Sequence, residues 1–80
     1  MKDIIDIRSF FQYQKGHIPG AISIEKYELL ANPSKYLNKK QTYYIYCSSG
    51  IQSKMVVQRL NSIGYSTINI PGGYNNYLLR

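Results

Sequence analysis

Short apolar runs alternate with longer segments of mixed polarity along this 80-residue chain. Runs that are apolar, or that alternate between apolar and polar positions as β-strands do, span residues 4–7, 21–24, 42–46 and 66–70. The run over 42–46 is the clearest, because every residue in it is β-branched or aromatic. The pattern therefore predicts four short strands.

Helices are predicted between and after these strands, over residues 10–15, 26–31, 52–63 and 74–79. Ser9 is suited to cap the first helix, and Gly16 is suited to end it. The third helix is the longest, and a stripe repeats along it at spacings of three and four through Met55, Val56, Arg59, Leu60 and Ile63. We expect this apolar face, Met55 included, to lie in the core, with Gly64 as the C-cap.

Strands that alternate with helices predict an α/β fold. The expected architecture is a central parallel sheet of about four strands, with right-handed crossovers and helices on both faces. Ligands bind beyond the carboxyl ends of the strands in such sheets. The loops after Ile7, Tyr46 and Ile70 are therefore the candidate sites.

The length of the chain limits it to one domain over residues 1–80. A chain of this size buries roughly 63% of its unfolded surface, which leaves a thin core and no room for a lid domain. No apolar stretch approaches the length of a transmembrane helix or a secretory signal. We therefore expect a cytoplasmic protein that does not bind membranes.

The charge balance favours anionic partners. Ten Lys and Arg residues against four Asp and Glu give a net charge of +6, which raises encounter rates with anions. The positive charges are scattered, however, and Lys39-Lys40 is the only doublet. Nucleic-acid binding usually requires clustered charge, so no nucleic-acid partner is expected.

The single cysteine and the single histidine exclude several kinds of site. One cysteine cannot form a disulfide within the chain, and the two residues together cannot supply the usual ligands of zinc. No metal site is expected.

Cys47 lies where a reactive thiol would be expected. It follows the clearest strand and precedes the longest helix, so it faces a helix N-terminus whose free N–H groups stabilise negative charge. Such surroundings lower the pKa of a thiol. Gly50 permits a tight turn in which successive N–H groups surround the sulfur. The alternative is a buried structural cysteine, since free cysteines are among the most buried residues.

Four segments, in order, resemble the signatures of single-domain rhodaneses. Residues 4–8 end in Asp-x-Arg, as the first signature does, and residues 16–21 match G-H-I-x-G-A at every position. Residues 44–53 resemble the strand and active-site loop Y-C-x-x-G-x-R-S, and residues 64–73 resemble the closing strand with its double glycine. The resemblance covers nearly the whole chain and implies a rhodanese-like fold.

The resemblance implies sulfur transfer without a cofactor. In rhodaneses the loop cysteine takes the outer sulfur of thiosulfate or another donor, becomes a persulfide and passes that sulfur to a thiophilic acceptor. Cys47 is the implied nucleophile, and the implied substrate-binding residues are Ser48, Ser49, Gly50, Ile51, Gln52 and Ser53. Related dual-specificity phosphatases have a longer loop that ends in arginine, so phosphatase activity is not expected.

Two positions of the loop depart from the family pattern. Gln52 stands where many rhodaneses have arginine, and Ser48 stands where a basic or other polar residue is common. A neutral loop attracts a divalent anion such as thiosulfate less strongly. We therefore expect inefficient use of thiosulfate, with a protein persulfide as the alternative donor. A second hypothesis is a non-catalytic or partner-dependent sulfur carrier. A thiol redox role is disfavoured, because no second cysteine is present.

Asp6, Arg8 and His17 are supporting candidates. Asp6 and Arg8 are two residues apart at the end of the first strand, so their side chains share a face and favour a structural ion pair. Of the two, Arg8 is the better suited to an electrostatic role. We expect His17 to fix its loop through a ring hydrogen bond rather than to act as a general base.

Compared with the family it resembles, the chain lacks the usual N-terminal strand and helix. Four strands are therefore expected rather than five. The sheet edge that this leaves exposed can pair with a second copy or with a partner protein, because its backbone groups are unpaired.

Overall fold

A four-stranded parallel sheet forms the centre of the computed structural model, which describes residues 3–79. Its strands are β1 (Ile4–Asp6), β2 (Ile22–Ser23), β3 (Thr42–Tyr46) and β4 (Ser66–Asn69). They lie in the order β2-β1-β3-β4, and every pair is parallel. This confirms the predicted sheet, and it places the carboxyl ends of all four strands at one edge.

Five helices surround the sheet within the described residues. They are α1 (Phe10–Lys15), α2 (Lys26–Ala31), α3 (Pro33–Tyr36), α4 (Ile51–Ser62) and α5 (Gly73–Leu78). Ser9 caps α1 as predicted, and Gln12 completes a capping box with it. Between residues 3 and 79, no helix is long and apolar enough to cross a membrane.

The second strand is shorter than the predicted range of 21–24. The N–H of Ala21 donates to the carbonyl of Ile18 at 3.0 Å, so Ala21 belongs to the preceding turn rather than to the sheet. The N–H of Ile24 still donates to the carbonyl of Asp6 at 3.1 Å. The chain therefore follows β1 beyond the two residues that form the regular strand.

The core lies between one face of the sheet and helices α2 and α4. It consists of Ile5, Ile7, Ile24, Leu29, Leu37, Tyr43, Ile45, Cys47, Val56, Val57, Leu60 and Tyr65. Side chains from alternate positions of β1 and β3 point into it, as strand geometry requires. Cys47 belongs to this cluster, so the candidate nucleophile lies at the boundary between core and site.

The predicted buried face of α4 is partly wrong. Met55 is 66% exposed and Ile63 is 49% exposed, whereas the buried positions are Ser53, Val56, Val57 and Leu60. The buried face includes the polar residue Ser53, because the first turn of α4 lies against the thiol of Cys47. The stripe predicted from the sequence therefore selected Met55 in place of Ser53. The capping residue is Ile63, and Gly64 follows it with a positive φ of 101°.

The second face of the sheet is covered only in part. At its carboxyl end Tyr46 and Asp6 are fully buried, and the ring of Tyr74 in α5 stacks on Tyr46 with centroids 6.4 Å apart. Further from that end, Tyr44 and Ile68, which are partners in the register of β3 and β4, are 43% and 45% exposed. Helices therefore lie on both faces, but on the second face they cover only the edge where the carboxyl ends of the strands lie.

Candidate active site

Cys47 immediately follows β3 at the carboxyl edge of the sheet. Its side chain is only 5% exposed. The next three residues form a tight loop, and Gly50 leads into α4 with a φ of 93°. Other residues adopt this conformation only under strain, so the glycine allows the helix to begin directly beneath the thiol.

The sulfur of Cys47 is surrounded by hydrogen-bond partners from the loop and the first turn of α4. The backbone N–H groups of Gly50 and Ser53 donate to Sγ at 3.1 and 3.3 Å. The thiol also lies 3.4 Å from Oγ of Ser53 and donates to it. These contacts are the N–H nest expected at the helix N-terminus.

Two opposing effects determine the pKa of Cys47. Burial raises it, because a thiolate loses solvation away from water. Hydrogen bonds from the side chain of Ser53 and from the backbone of Ser53, Gly50 and Ser49 lower it, and they outweigh burial. The net effect lowers the pKa below the ordinary value for cysteine, so the site favours the thiolate.

Asn69 supports this arrangement from β4. The hydroxyl of Ser53 donates to Oδ1 of Asn69 at 2.5 Å, and Nδ2 of Asn69 donates to the carbonyl of Gly50 at 3.4 Å. Asn69 therefore connects the turn to the first residues of α4. Asn69 was not predicted from the sequence, where it is a polar residue near the end of a strand. Only the structure shows that this strand lies beside β3.

The double glycine before α5 holds the Cys47 loop from the other side. The N–H of Tyr74 donates to the carbonyl of Cys47, and that of Asn75 donates to the carbonyl of Ser48, both at 2.9 Å. Gly73 has a φ of 57°, and a Cβ there would overlap the carbonyl oxygen of Cys47. Gly73 therefore permits a close approach of the two backbones beside the site.

The other loop residues have different environments. Ile51 is largely exposed, and its N–H donates to Oγ of Ser49 at 3.3 Å rather than to the sulfur. Ser48 lines the adjoining cavity. The side chain of Gln52 also lines it, and its Oε1 accepts a hydrogen bond from Nζ of Lys26. Of the predicted cradle, Gly50 and Ser53 thus donate to the sulfur, Ser48, Ser49 and Gln52 line the cavity, and Ile51 does neither.

A cavity of about 500 Å³ opens beside Cys47. Its lining comes from three loops and comprises Ile7, Arg8, Ser9, Gln12, Glu25, Lys26, Tyr27, Cys47, Ser48, Ser49 and Gln52. The contribution of α2 was not predicted, although α2 also starts at the carboxyl edge, after β2. The extent of the cavity is enough for a small anion or for an inserted segment of an acceptor.

Asp6 and Arg8 form a buried ion pair. Nε and Nη2 of Arg8 donate to the two carboxylate oxygens of Asp6 at 3.0 and 2.7 Å, and the hydroxyl of Tyr46 donates to the same carboxylate at 2.8 Å. Nη2 of Arg8 also donates to the carbonyl of Gly16 at 2.7 Å. The hydrogen bond to Asp6 raises the pKa of Arg8, and the geometry is that of the structural pair expected from the sequence.

His17 lies outside the residues that line the cavity. Its Nδ1 lies 2.9 Å from the carbonyl of Tyr13, and the two rings stack with centroids 3.8 Å apart. This arrangement matches the loop-fixing role expected from the sequence.

The profile of the rhodanese-like domain family matches residues 1–80. The chain belongs to this family. It is 34% identical over 70 residues to the thiosulfate sulfurtransferase PspE of Escherichia coli, a match that covers 86% of this chain and 67% of PspE. It is 32% identical over 76 residues to the putative sulfur carrier protein YrkF of Bacillus subtilis, covering 94% of this chain and 40% of YrkF.

Solved structures share this fold. The crystal structure of a rhodanese-like domain protein from Staphylococcus aureus superposes with a TM-score of 0.80 at 32% identity, covering 91% of this chain and 71% of that chain. The crystal structure of SSP1007 from Staphylococcus saprophyticus superposes with a TM-score of 0.87 at 34% identity, covering 95% of this chain and 75% of that chain. The chain spans between 14% and 67% of the length of the curated relatives that it matches. The likeness therefore concerns the rhodanese-like domain and its loop.

Proposed function

We propose that this rhodanese-like domain is a sulfurtransferase that carries sulfane sulfur on Cys47. The thiolate of Cys47 attacks the outer sulfur of thiosulfate and forms a new S–S bond. The original bond of the donor breaks, and its electron pair leaves with sulfite. An acceptor such as cyanide then attacks the outer sulfur of the Cys47 persulfide, takes it as thiocyanate and returns the thiolate. Charge balances in both steps, and neither requires a cofactor.

The hydrogen-bonded environment of the Cys47 sulfur supports this proposal above all. N–H groups from Gly50 and Ser53 lie within 3.3 Å of Sγ, and the pKa of the thiol is lowered in spite of its burial. A purely structural cysteine needs neither these donors nor a cavity that opens beside it. The names of the relatives, a thiosulfate sulfurtransferase among them, point to the same chemistry.

Intact mass spectrometry tests the proposal directly. Incubation with thiosulfate should add one sulfur atom to the protein, and cyanide should remove it. Cys47→Ser should gain no sulfur. A folded protein whose thiol reacts with an alkylating agent but gains no sulfur from any donor would contradict the proposal.

A partner-dependent sulfur carrier is the second candidate. The putative sulfur carrier YrkF is among the relatives, and the loop itself holds no cationic side chain from Cys47 to Ser53. For a carrier, the donor is a protein persulfide rather than thiosulfate. Sulfur gained from a protein persulfide but not from thiosulfate, again without gain in Cys47→Ser, would favour this candidate.

A further inference from the structure

Lys26 places a cation on the wall of the cavity, in contact with the neutral loop. It is the first residue of α2 and is half-buried, and it lines the same cavity as Cys47. Its Nζ donates to Oε1 of Gln52, the residue that stands where many rhodaneses have arginine. The amide of Gln52 thus holds the ammonium of Lys26 against the loop.

The other charged side chains of the cavity are already engaged. The guanidinium of Arg8 is paired with the buried carboxylate of Asp6. Oε2 of Glu25 accepts a hydrogen bond from the N–H of Phe10 at 2.8 Å, at the start of α1. Within residues 3–79 the salt bridges are Arg8–Asp6 and Lys35–Glu28, so Lys26 forms no ion pair with a carboxylate there.

An ammonium group has three donors, and the contact with Gln52 uses one of them. The ammonium also lies 4.8 Å from the centroid of the Tyr27 ring, but this contact involves no hydrogen-bond acceptor. Two donors therefore remain available to oxygen atoms of an anion that enters the cavity. We propose that Lys26, positioned by Gln52, is the residue that binds the anionic end of the sulfur donor. This inference rests on the proposed function and adds the residue that selects for an anionic donor.

The expected consequence is selectivity for charge rather than for shape. A lysine is a point charge and lacks the planar fork with which arginine grips an oxyanion at two atoms. Lys26 therefore attracts sulfonate or carboxylate groups without a strict geometric requirement. For thiosulfate the interaction is with the oxygens of the sulfonate group, while the outer sulfur meets Cys47.

Alkylation of Cys47 tests this inference without any sulfur transfer. Iodoacetate and iodoacetamide attack the same thiolate and differ mainly in charge, so the ratio of their rates reports on the attraction of anions. Lys26→Gln should lower that ratio about threefold to tenfold, because a partly screened charge at short range has been removed. Lys26→Arg should preserve it.

Lys40→Gln is the matched control. It removes the same charge, but Lys40 precedes β3 at the opposite edge of the sheet. The ratio should stay unchanged in this variant. An unchanged ratio in Lys26→Gln would overturn the inference, including the case in which both rates fall equally, because Lys26 would then act on the thiolate and not on the incoming anion.

Thiosulfate kinetics provide the second measurement. Lys26→Gln should raise KM for thiosulfate by a similar factor, with a smaller change in kcat. If the wild-type protein gains no sulfur from thiosulfate, the proposed use of that donor fails, whereas the alkylation ratio still decides the role of Lys26. A lowered ratio with an unchanged KM would contradict the assignment of Lys26 to the sulfur donor.

Discussion

The hydroxyl of Ser53 lies between two acceptors, the sulfur of Cys47 and the side-chain oxygen of Asn69. When Cys47 is a thiol, its S–H points to Oγ of Ser53, and the hydroxyl donates to Asn69. When the thiol loses its proton, the same hydroxyl can turn to the thiolate. Ser53 is completely buried, so water does not replace this donor. One serine thereby adjusts to both charge states of the cysteine.

Ser53→Ala should shift the alkylation of Cys47 to higher pH. The hydrogen bond from Ser53 lowers the pKa of the thiol, so its removal raises that pKa and leaves less thiolate at neutral pH. A hydrogen bond worth ~0.5–1.5 kcal/mol corresponds to a rate about twofold to tenfold lower at pH 7. The rates of the two proteins should converge at alkaline pH, where both thiols are ionised.

Ser49→Ala is the control for this prediction, since its hydroxyl accepts from the N–H of Ile51 and does not contact the sulfur. Its pH profile should match that of the wild-type protein. Identical profiles for Ser53→Ala and wild type would show that the backbone donors alone determine the reactivity of Cys47.

Residues that act alone could be inferred from the sequence, but residues that act through tertiary neighbours could not. Cys47 is marked by its place between a strand and a helix, and Asp6 and Arg8 are marked by their spacing. Lys26 and Asn69 are ordinary polar residues in the sequence. They become part of the site only because β2 and β4 end at the same edge as β3, and no local pattern shows which loops meet there.

At the scale of elements, α5 fixes the position of the Cys47 loop. Its first N–H groups donate to the carbonyls of Cys47 and Ser48, and this contact requires Gly73 because any side chain there would overlap the loop backbone. The short C-terminal helix is therefore a structural part of the site, although none of its residues lines the cavity beside Cys47.

Gly73→Ala should therefore affect both stability and reactivity. The positive φ and the overlap with the loop should lower the free energy of unfolding by ~1–3 kcal/mol, measured by urea denaturation. Displacement of the loop should also slow the alkylation of Cys47.

Gly64→Ala is the matched control, because its φ is also positive but a Cβ there meets only the flexible chain of Lys39. It should lose stability and keep the reactivity of Cys47; equal reactivity in both variants would argue against the role of α5.

The face that α4 buries gives a second prediction at this scale. Leu60 is fully buried and Met55 is 66% exposed, so Leu60→Ala should cost ~2–5 kcal/mol of unfolding free energy and Met55→Ala less than about 0.5 kcal/mol. Urea denaturation of the two variants distinguishes them. Comparable losses of unfolding free energy in the two variants would contradict the observed buried face and favour the stripe through Met55 that the sequence indicates.

The elements themselves follow closely from local patterns. The bounds of α4 and β3 fall within one residue of those predicted, since turn residues and strong periodicity mark them on both sides. The buried face of α4 was harder to predict, because Ser53 is polar. Ser53 is buried because it contacts the sulfur of Cys47, which lies outside the helix, directly after β3.

At the scale of the whole molecule, two parts of the sheet are left uncovered, namely its edge strands and part of one face. Among the described residues β2 and β4 are its edge strands, and Tyr44 and Ile68 leave part of one face exposed. Unpaired edges and apolar surface favour association. Pairing with a second copy or with a partner protein thus stays a prediction.

Light scattering coupled to size exclusion tests self-association. The mass should rise above that of the monomer as the protein concentration increases. Ile68→Lys places a charge on the exposed face of β4 and should reduce this rise, whereas Lys40→Gln should not. A monomer mass at every concentration would contradict the prediction.

In the proposed mechanism, the close contacts around Sγ of Cys47 have a different consequence once Cys47 carries a second sulfur atom. In a persulfide the negative charge resides on the outer sulfur, about 2 Å beyond the atom that the N–H groups of Gly50 and Ser53 contact. The donors then hold the inner sulfur, which carries little charge. As the acceptor attacks, charge returns to the inner sulfur, where the donors are already in place. The groups that activate Cys47 as a nucleophile thus also make it a good leaving group, and unloading is favoured along with loading.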